Sequence, residues 1–178
     1  MKKFSEKYGP WAIVTGAASG IGAALSVAIA KRGVSVCLID CNCCDSVLQT
    51  IRRDYPTVQC CSVSAHLEQP DFMPNVRRVT GGLDVGLVCC VAGISVLGRF
   101  LSVPIEKHHE VVQVNVVSTL KVLHHFALRI AHRSSGGGVV LVGSAASLMP
   151  VHNFPTYAST KSFISHLATC ISKDLSEY

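Results

Sequence analysis

Two side chains on one stretch could carry out proton transfer. Tyr157 and Lys161 stand four residues apart in Tyr157-Ala158-Ser159-Thr160-Lys161, and Ser144 precedes Tyr157 by thirteen residues. On a helix that spacing puts the phenol and the ammonium on one face. A phenol titrates near pH 10, too high for efficient acid–base work at neutrality. A neighbouring ammonium favours the phenolate and lowers that value. A serine hydroxyl beside the pair could hold a carbonyl or alcohol oxygen. Taken alone the Tyr–Lys spacing is a weak signal, because many helices carry it.

A second group suits a phosphate. Thr15-Gly16-Ala17-Ala18-Ser19-Gly20-Ile21-Gly22 spaces three glycines as G-x-x-x-G-x-G. Gly16 permits a tight turn, Gly20 lets backbone approach a pyrophosphate, and Gly22 lets a helix pack close on a strand. The helix that opens here offers free N–H groups and a positive dipole end. Eighteen residues past Gly22 comes Asp40. An acid there can accept hydrogen bonds from ribose hydroxyls and repel a 2′-phosphate. Ser19 offers nothing basic to that phosphate. Both favour NAD over NADP.

These groups need elements to hold them, and the apolar pattern supplies a regular set. Ala12–Thr15, Val34–Ile39, Val58–Val63, Val85–Val91 and Val139–Val142 read as buried strands. Gly20–Lys31, Asp45–Arg53, Phe72–Val79, Ile105–Arg133 and Thr156–Leu175 read as helices between and after them. Continuous apolar strands alternating with helices mean a parallel sheet covered on both faces. Right-handed crossovers then give an α/β, doubly wound (Rossmann) fold of about five strands, with ligands at the carboxyl ends of the strands.

Composition agrees with one globular domain spanning 1–178: 49% hydrophobic and 15% charged. That is too apolar for a disordered chain. No apolar run reaches the ~18 residues of a membrane span. The start, Met1-Lys2-Lys3-Phe4-Ser5-Glu6-Lys7, has charge with no apolar region behind it, unlike a signal peptide, so the expected location is cytoplasmic. The net charge of +5 is spread in pairs such as Lys31-Arg32 and Arg77-Arg78. Nucleic-acid binders cluster such charge, so no nucleic-acid partner is expected. Nine cysteines, an odd number, fit a reduced compartment. Cys41-Asn42-Cys43-Cys44 lacks a second ligand pair, so no metal is expected, and a redox role stays open. His108-His109 and His124-His125 read as surface or interface residues.

With these residues in hand, the sequence resembles the short-chain dehydrogenase/reductases over nearly all of its length, most closely the hydroxysteroid and 3-ketoacyl reductase branch. The Thr15–Gly22 loop matches their cofactor motif, with Gly16, Ser19, Gly20, Ile21 and Gly22 in place. Ser144, Tyr157 and Lys161 match their triad, and Asn115 in Gln113-Val114-Asn115-Val116 matches the fourth catalytic position. The resemblance implies hydride transfer between NAD and a secondary alcohol or ketone. Tyr157 would be the acid/base, Lys161 would tune it and hold the nicotinamide ribose, Ser144 would orient the substrate oxygen, and Asn115 would hold a relay water. It also implies a homodimer or tetramer through the long and last helices.

Three positions depart from the pattern. Val91-Ala92-Gly93 replaces an Asn-Ala-Gly whose Asn steadies the central strands, although Ala92 and Gly93 keep their cofactor positions. Ser62 stands where an adenine-contacting Asp is usual. The chain stops at Tyr178, before the family's further strand and substrate-covering segment. A catalytically impaired dinucleotide-binding or scaffold protein, or a fragment of a longer dehydrogenase, is the alternative expectation. His152, Asn153 and Phe154 lie where relatives shape substrate choice.

Overall fold

The structure, a computed structural model, describes residues 3–176. Five parallel strands form one sheet: β1 Trp11–Thr15, β2 Ser35–Asp40, β3 Cys60–Ser64, β4 Val85–Cys90 and β5 Gly138–Leu141. Their spatial order is β3-β2-β1-β4-β5. The five strands and their sequence order are those the apolar runs predict, with ends shifted by one or two residues. The helices are α1 Phe4–Tyr8, α2 Gly20–Ala30, α3 Asp45–Asp54, α4 Met73–Thr80, α5 Ile105–Val112, α6 Thr119–Ala131 and α7 Pro155–Leu175.

Alternation along each strand divides the core in two. Ile13, Cys37, Ile39, Val88 and Cys90 face a cluster closed by Val76 of α4 and by Val122, Leu123, Phe126 and Ile130 of α6. Ala12, Val14, Val36, Leu38 and Cys89 face the other side, closed by Ile29 and Ala30 of α2 and by Val47, Leu48 and Ile51 of α3. Every residue of β4 is buried, as expected of a strand covered on both faces.

The strand order reverses between β1 and β4. In open α/β sheets the crevice at that switch point is the ligand site. The loops after Thr15 and Cys90 therefore meet there.

The long helix is not one uniform helix. Gln113–Ser118, between α5 and α6, is wound as a π-helix. Such segments gather at functional sites, and this one carries Asn115. The Ile105–Ala131 stretch is long and apolar enough to cross a membrane by length and composition, although no unbroken apolar run within it reaches that length. Half of its most apolar window is buried within the fold, and the stretch packs on β4 and β5 as a core helix. The five-residue α1 was not legible from the sequence. Its Phe4 and Tyr8 pack onto the second core cluster.

Candidate active site

The glycine loop is shaped by contacts that leave no room for side chains. Gly16 has φ +67°, and a Cβ there would stand 2.8 Å from the Ala92 Cα. A Cβ on Gly22 would overlap the Gly16 carbonyl oxygen, so the turn closes tightly onto the first turn of α2. Gly20 has φ +53° with open space around it. Ser19 caps α2 without a side-chain hydrogen bond. The first N–H groups of this helix have no intrahelical acceptor, which leaves them for an anion.

Asp40 ends β2 and reaches into the same loop. Its Oδ2 accepts a hydrogen bond from the Ala18 amide at 2.9 Å, and its Oδ1 accepts one from the Asn42 amide at 2.9 Å. Its own carbonyl accepts from the Ala65 amide. One carboxylate thus joins the loops after β1 and β2, and lone pairs remain on both oxygens.

These pieces line one cleft of about 340 Å³. Gly16, Ser19, Ile21, Gly22 and Asp40 form one wall, with Ala92, Gly93 and Val114 among the residues of the other. Ile21 is 64% exposed, an uncovered apolar side chain at the mouth of a helix-capped cleft. Ser62 stands apart. It lies mid-strand in the edge strand β3, exposed, opposite Leu38, while Ala65, Leu67 and Glu68 line the cleft at that strand's end.

Thr15 does the steadying that Val91 cannot. Its Oγ1 accepts hydrogen bonds from the Val91 and Ala92 amides, at 3.1 and 3.2 Å. This ties the end of β1 to the loop after β4 across the switch point. A threonine ending a strand just before a glycine turn was the signal available in the sequence.

The second group assembles beside Gly93. Lys161 is buried, and its Nζ donates to the Val142 carbonyl at 2.8 Å. That nitrogen lies 5.9 Å from the Tyr157 ring centroid, and a Cβ on Gly93 would be 3.3 Å from it. Burial holds the Lys161 ammonium below the ordinary lysine range, because charge is disfavoured away from water. The Val142 hydrogen bond uses one of its three donors, and two remain.

Asn115 is committed to a clamp. Its Nδ2 donates to the Ile94 carbonyl at 2.9 Å and to Thr160 Oγ1 at 3.0 Å, and its Oδ1 accepts from the Ile94 amide at 2.8 Å. Thr160 in turn donates to the Tyr157 carbonyl. The π-helix, the loop after β4 and the Tyr157 turn are thereby one unit. One lone pair of Oδ1 is left for any further partner.

Ser144 follows β5 and caps the 3₁₀ turn Ala145–Ser147. Its Oγ accepts from the Ala146 amide, so its own O–H stays free to donate. Ser147 donates to the Ser144 carbonyl, and the turn packs on α7, where Tyr157 sits. Between the turn and α7 lies a second cleft of about 520 Å³, lined by Leu148, Met149, Pro150 and Ser159. His152 and Asn153 are exposed next to it, and the Phe154 ring lies 6.3 Å from that of Tyr157.

His108 corrects the surface reading, since it is only 5% exposed. Its Nε2 lies 3.1 Å from the Phe100 carbonyl and its Nδ1 lies 2.6 Å from Thr156 Oγ1. A carbonyl only accepts, so Nε2 carries the proton. In the neutral ring Nδ1 accepts the Thr156 hydroxyl. The side chain fastens the loop after β4 to the first turn of α7, one residue before Tyr157. His108→Ala should cost about 1–3 kcal/mol by leaving the Phe100 carbonyl unpaired, where an exposed histidine would cost under about 0.5 kcal/mol. Chemical denaturation should show a lower midpoint at unchanged slope, partly restored in His108→Asn.

The family model described as short chain dehydrogenase matches residues 10–178. A 7beta-hydroxysteroid dehydrogenase from Collinsella aerofaciens is 33% identical over 161 residues, covering 89% of this chain and 60% of its own length. A solved structure described for the stereoselectivity of 7beta-hydroxysteroid dehydrogenase superimposes with TM-score 0.91 at 30% identity, covering 97% of this chain and 67% of that one. A short-chain dehydrogenase from Sphingobium yanoikuyae, solved in complex with NADPH, gives TM-score 0.87 at 25% identity, over 94% and 66% of the two chains. The chain thus spans about 60% of the length of the first curated relative it matches.

Proposed function

This chain belongs to the short-chain dehydrogenase family, and on that premise we propose that it interconverts a secondary alcohol and a ketone with a nicotinamide dinucleotide. The observation that carries the proposal is the convergence of Lys161, Gly93, Asn115 and the Tyr157 turn beside a glycine-lined cleft at the switch point. The cleft suits a dinucleotide. Side chains at Gly16 and Gly22 would fill it or break it, and the N-terminus of α2 faces it with its amides unspent. Gly16, Ser19, Ile21 and Gly22 would hold the pyrophosphate, Asp40 the adenosine ribose, and Ala92, Gly93 and Lys161 the nicotinamide half. The bound nicotinamide supplies or takes up the hydride.

The chain's own residues handle the proton. In reduction the Tyr157 hydroxyl gives its proton to the substrate oxygen as alkoxide character develops there, and in oxidation the phenolate takes it back. Lys161, whose Nζ lies 5.9 Å from the Tyr157 ring centroid, would hold the nicotinamide ribose with its two remaining donors. Ser144 donates its free O–H to the same oxygen and fixes its position. Asn115 acts through Thr160, holding the Tyr157 turn against the loop that carries Gly93.

The second cleft gives a reading of the substrate. Leu148, which is 82% exposed, and Met149 present apolar surface where the turn that follows Ser144 meets α7. That suits a bulky apolar ketone, in keeping with the 7beta-hydroxysteroid relative. On the dinucleotide, Asp40 favours NAD, since its carboxylate stands where a 2′-phosphate would be repelled; the Sphingobium relative holds NADPH. A dimer would use the long helix, whose Val112, Leu120 and Leu128 are exposed.

Parallel fluorescence titrations with NADH and NADPH, followed by assays with bulky ketones, test this reading. Enhancement of the nicotinamide emission at micromolar cofactor is expected, tighter for NADH, with oxidation of the cofactor on adding ketone. No binding of either cofactor at millimolar concentration would overturn the proposal. Tighter binding of NADPH would overturn the role given to Asp40 alone.

A further inference from the structure

The cysteines serve none of the steps above, yet two of them are paired by the sheet. Cys37 of β2 and Cys61 of β3 are direct register partners on adjacent parallel strands. Adjacent strands run about 4.7–4.9 Å apart, inside the 4.4–6.8 Å window of Cα separations that a disulfide spans. Both side chains belong to the same face, since Cys37 lies within the first core cluster and Cys61 packs against it. Cys60, the neighbour of Cys61, points to the opposite face and its thiol meets the Leu48 carbonyl. Cys90 shares the face of Cys37, but β1 lies between their strands.

The two thiols are also unlike. Cys37 has no exposed surface, whereas Cys61, on the edge strand, is half-buried. The neighbouring Cys37 thiol holds Cys61 below its ordinary range, while the same neighbour and burial push Cys37 up. Attack by the more accessible, more acidic sulfur followed by resolution from the buried one is the ordinary division of labour in a dithiol.

We propose that Cys37 and Cys61 form a redox dithiol that a hydroperoxide closes to a disulfide between β2 and β3. The Cys61 thiolate attacks the peroxide, breaking the O–O bond, and becomes a sulfenic acid while alcohol or water leaves. The Cys37 sulfur then attacks the Cys61 sulfur. The S–S bond forms, the S–O bond breaks, and the hydroxyl departs with the Cys37 proton as water. Two thiols lose two electrons and two protons, and the peroxide is reduced by two electrons. The bond lies three residues before Asp40 and four before Ala65, so it ties together the strands that deliver the outer wall of the cleft.

The test uses the full chain, reduced, freed of reductant and treated with dilute hydrogen peroxide, then alkylated with N-ethylmaleimide under denaturing conditions. Intact mass should show two fewer alkylated thiols than the reduced control. Fragmentation of the tryptic pair spanning Gly33–Arg52 and Asp54–Arg77 should place the bond between Cys37 and Cys61. Cys60→Ser should retain the bond and Cys61→Ser should lose it. A bond mapping to Cys41, Cys43, Cys44 or Cys60 would overturn the proposal, as would sulfinic acid accumulating at Cys61 with no crosslink. Should a variant fail to fold, the wild-type fragmentation decides alone.

Discussion

Tyr157→Phe should lower ketone turnover by about 10²–10⁴-fold, the range set by loss of a positioned acid–base group. The ring and its packing survive, so cofactor affinity and melting temperature should stay at wild-type values. The loss should appear in kcat, because the hydroxyl acts on the reacting oxygen in the transition state and adds little to ground-state binding. The environment argues for this outcome. Lys161 Nζ stands near the ring and is held by the Val142 carbonyl, and Thr160 fixes the backbone of the same turn. Steady-state kinetics with fluorescence titration of the variant check it. Turnover at the wild-type rate would remove Tyr157 from the chemistry.

Gly22→Ala should damage both fold and cleft. A methyl group there overlaps the Gly16 carbonyl oxygen, which is backbone and cannot swing aside. Gly16 is itself held by the hydrogen bond its N–H donates to the Ile39 carbonyl and by the close approach of Ala92. Relieving the overlap means parting α2 from β1, at about 1–3 kcal/mol by analogy with overpacked cores. For a domain of this size that is a fall in melting temperature of about 2–12 °C. Nicotinamide binding should be lost in the fraction that stays folded, because the α2 amides move away from the cleft. Gly20→Ala is the control. It meets no atom within 4 Å and bears only the strain of its positive φ, about 1–2 kcal/mol. Thermal melts of the two variants separate a steric cause from a conformational one. A Gly22→Ala melting temperature less than about 2 °C below wild type would contradict the overlap argument.

The same contrast shows where local signals stop. Glycine spacing gives Gly16 and Gly22 their roles, because each role is a local backbone requirement. Likewise the Tyr157–Lys161 pair follows from helix period alone. Asn115 could be matched by motif, but its use could not. Its side chain joins Ile94, 21 residues away, to Thr160, 45 residues away. His108 looked like a surface residue in Lys107-His108-His109-Glu110, four polar residues in a row. It is buried because the Thr156 turn, 48 residues on, folds over it.

By itself the sequence determined the alternation of strands and helices, the phosphate-type turn after the first strand and the phenol–ammonium pair on the last helix. Each follows from patterns within about twenty residues, where periodicity, glycine spacing and helix geometry act directly. The tertiary structure alone decided what crosses strands. It placed Thr15 on the amides of Val91 and Ala92, committed Asn115 to a clamp, buried the Ile105–Ala131 helix against the sheet and set Cys37 opposite Cys61. The reason is physical. Sheet order and register come from packing two whole faces of the sheet at once, and no single segment carries that information.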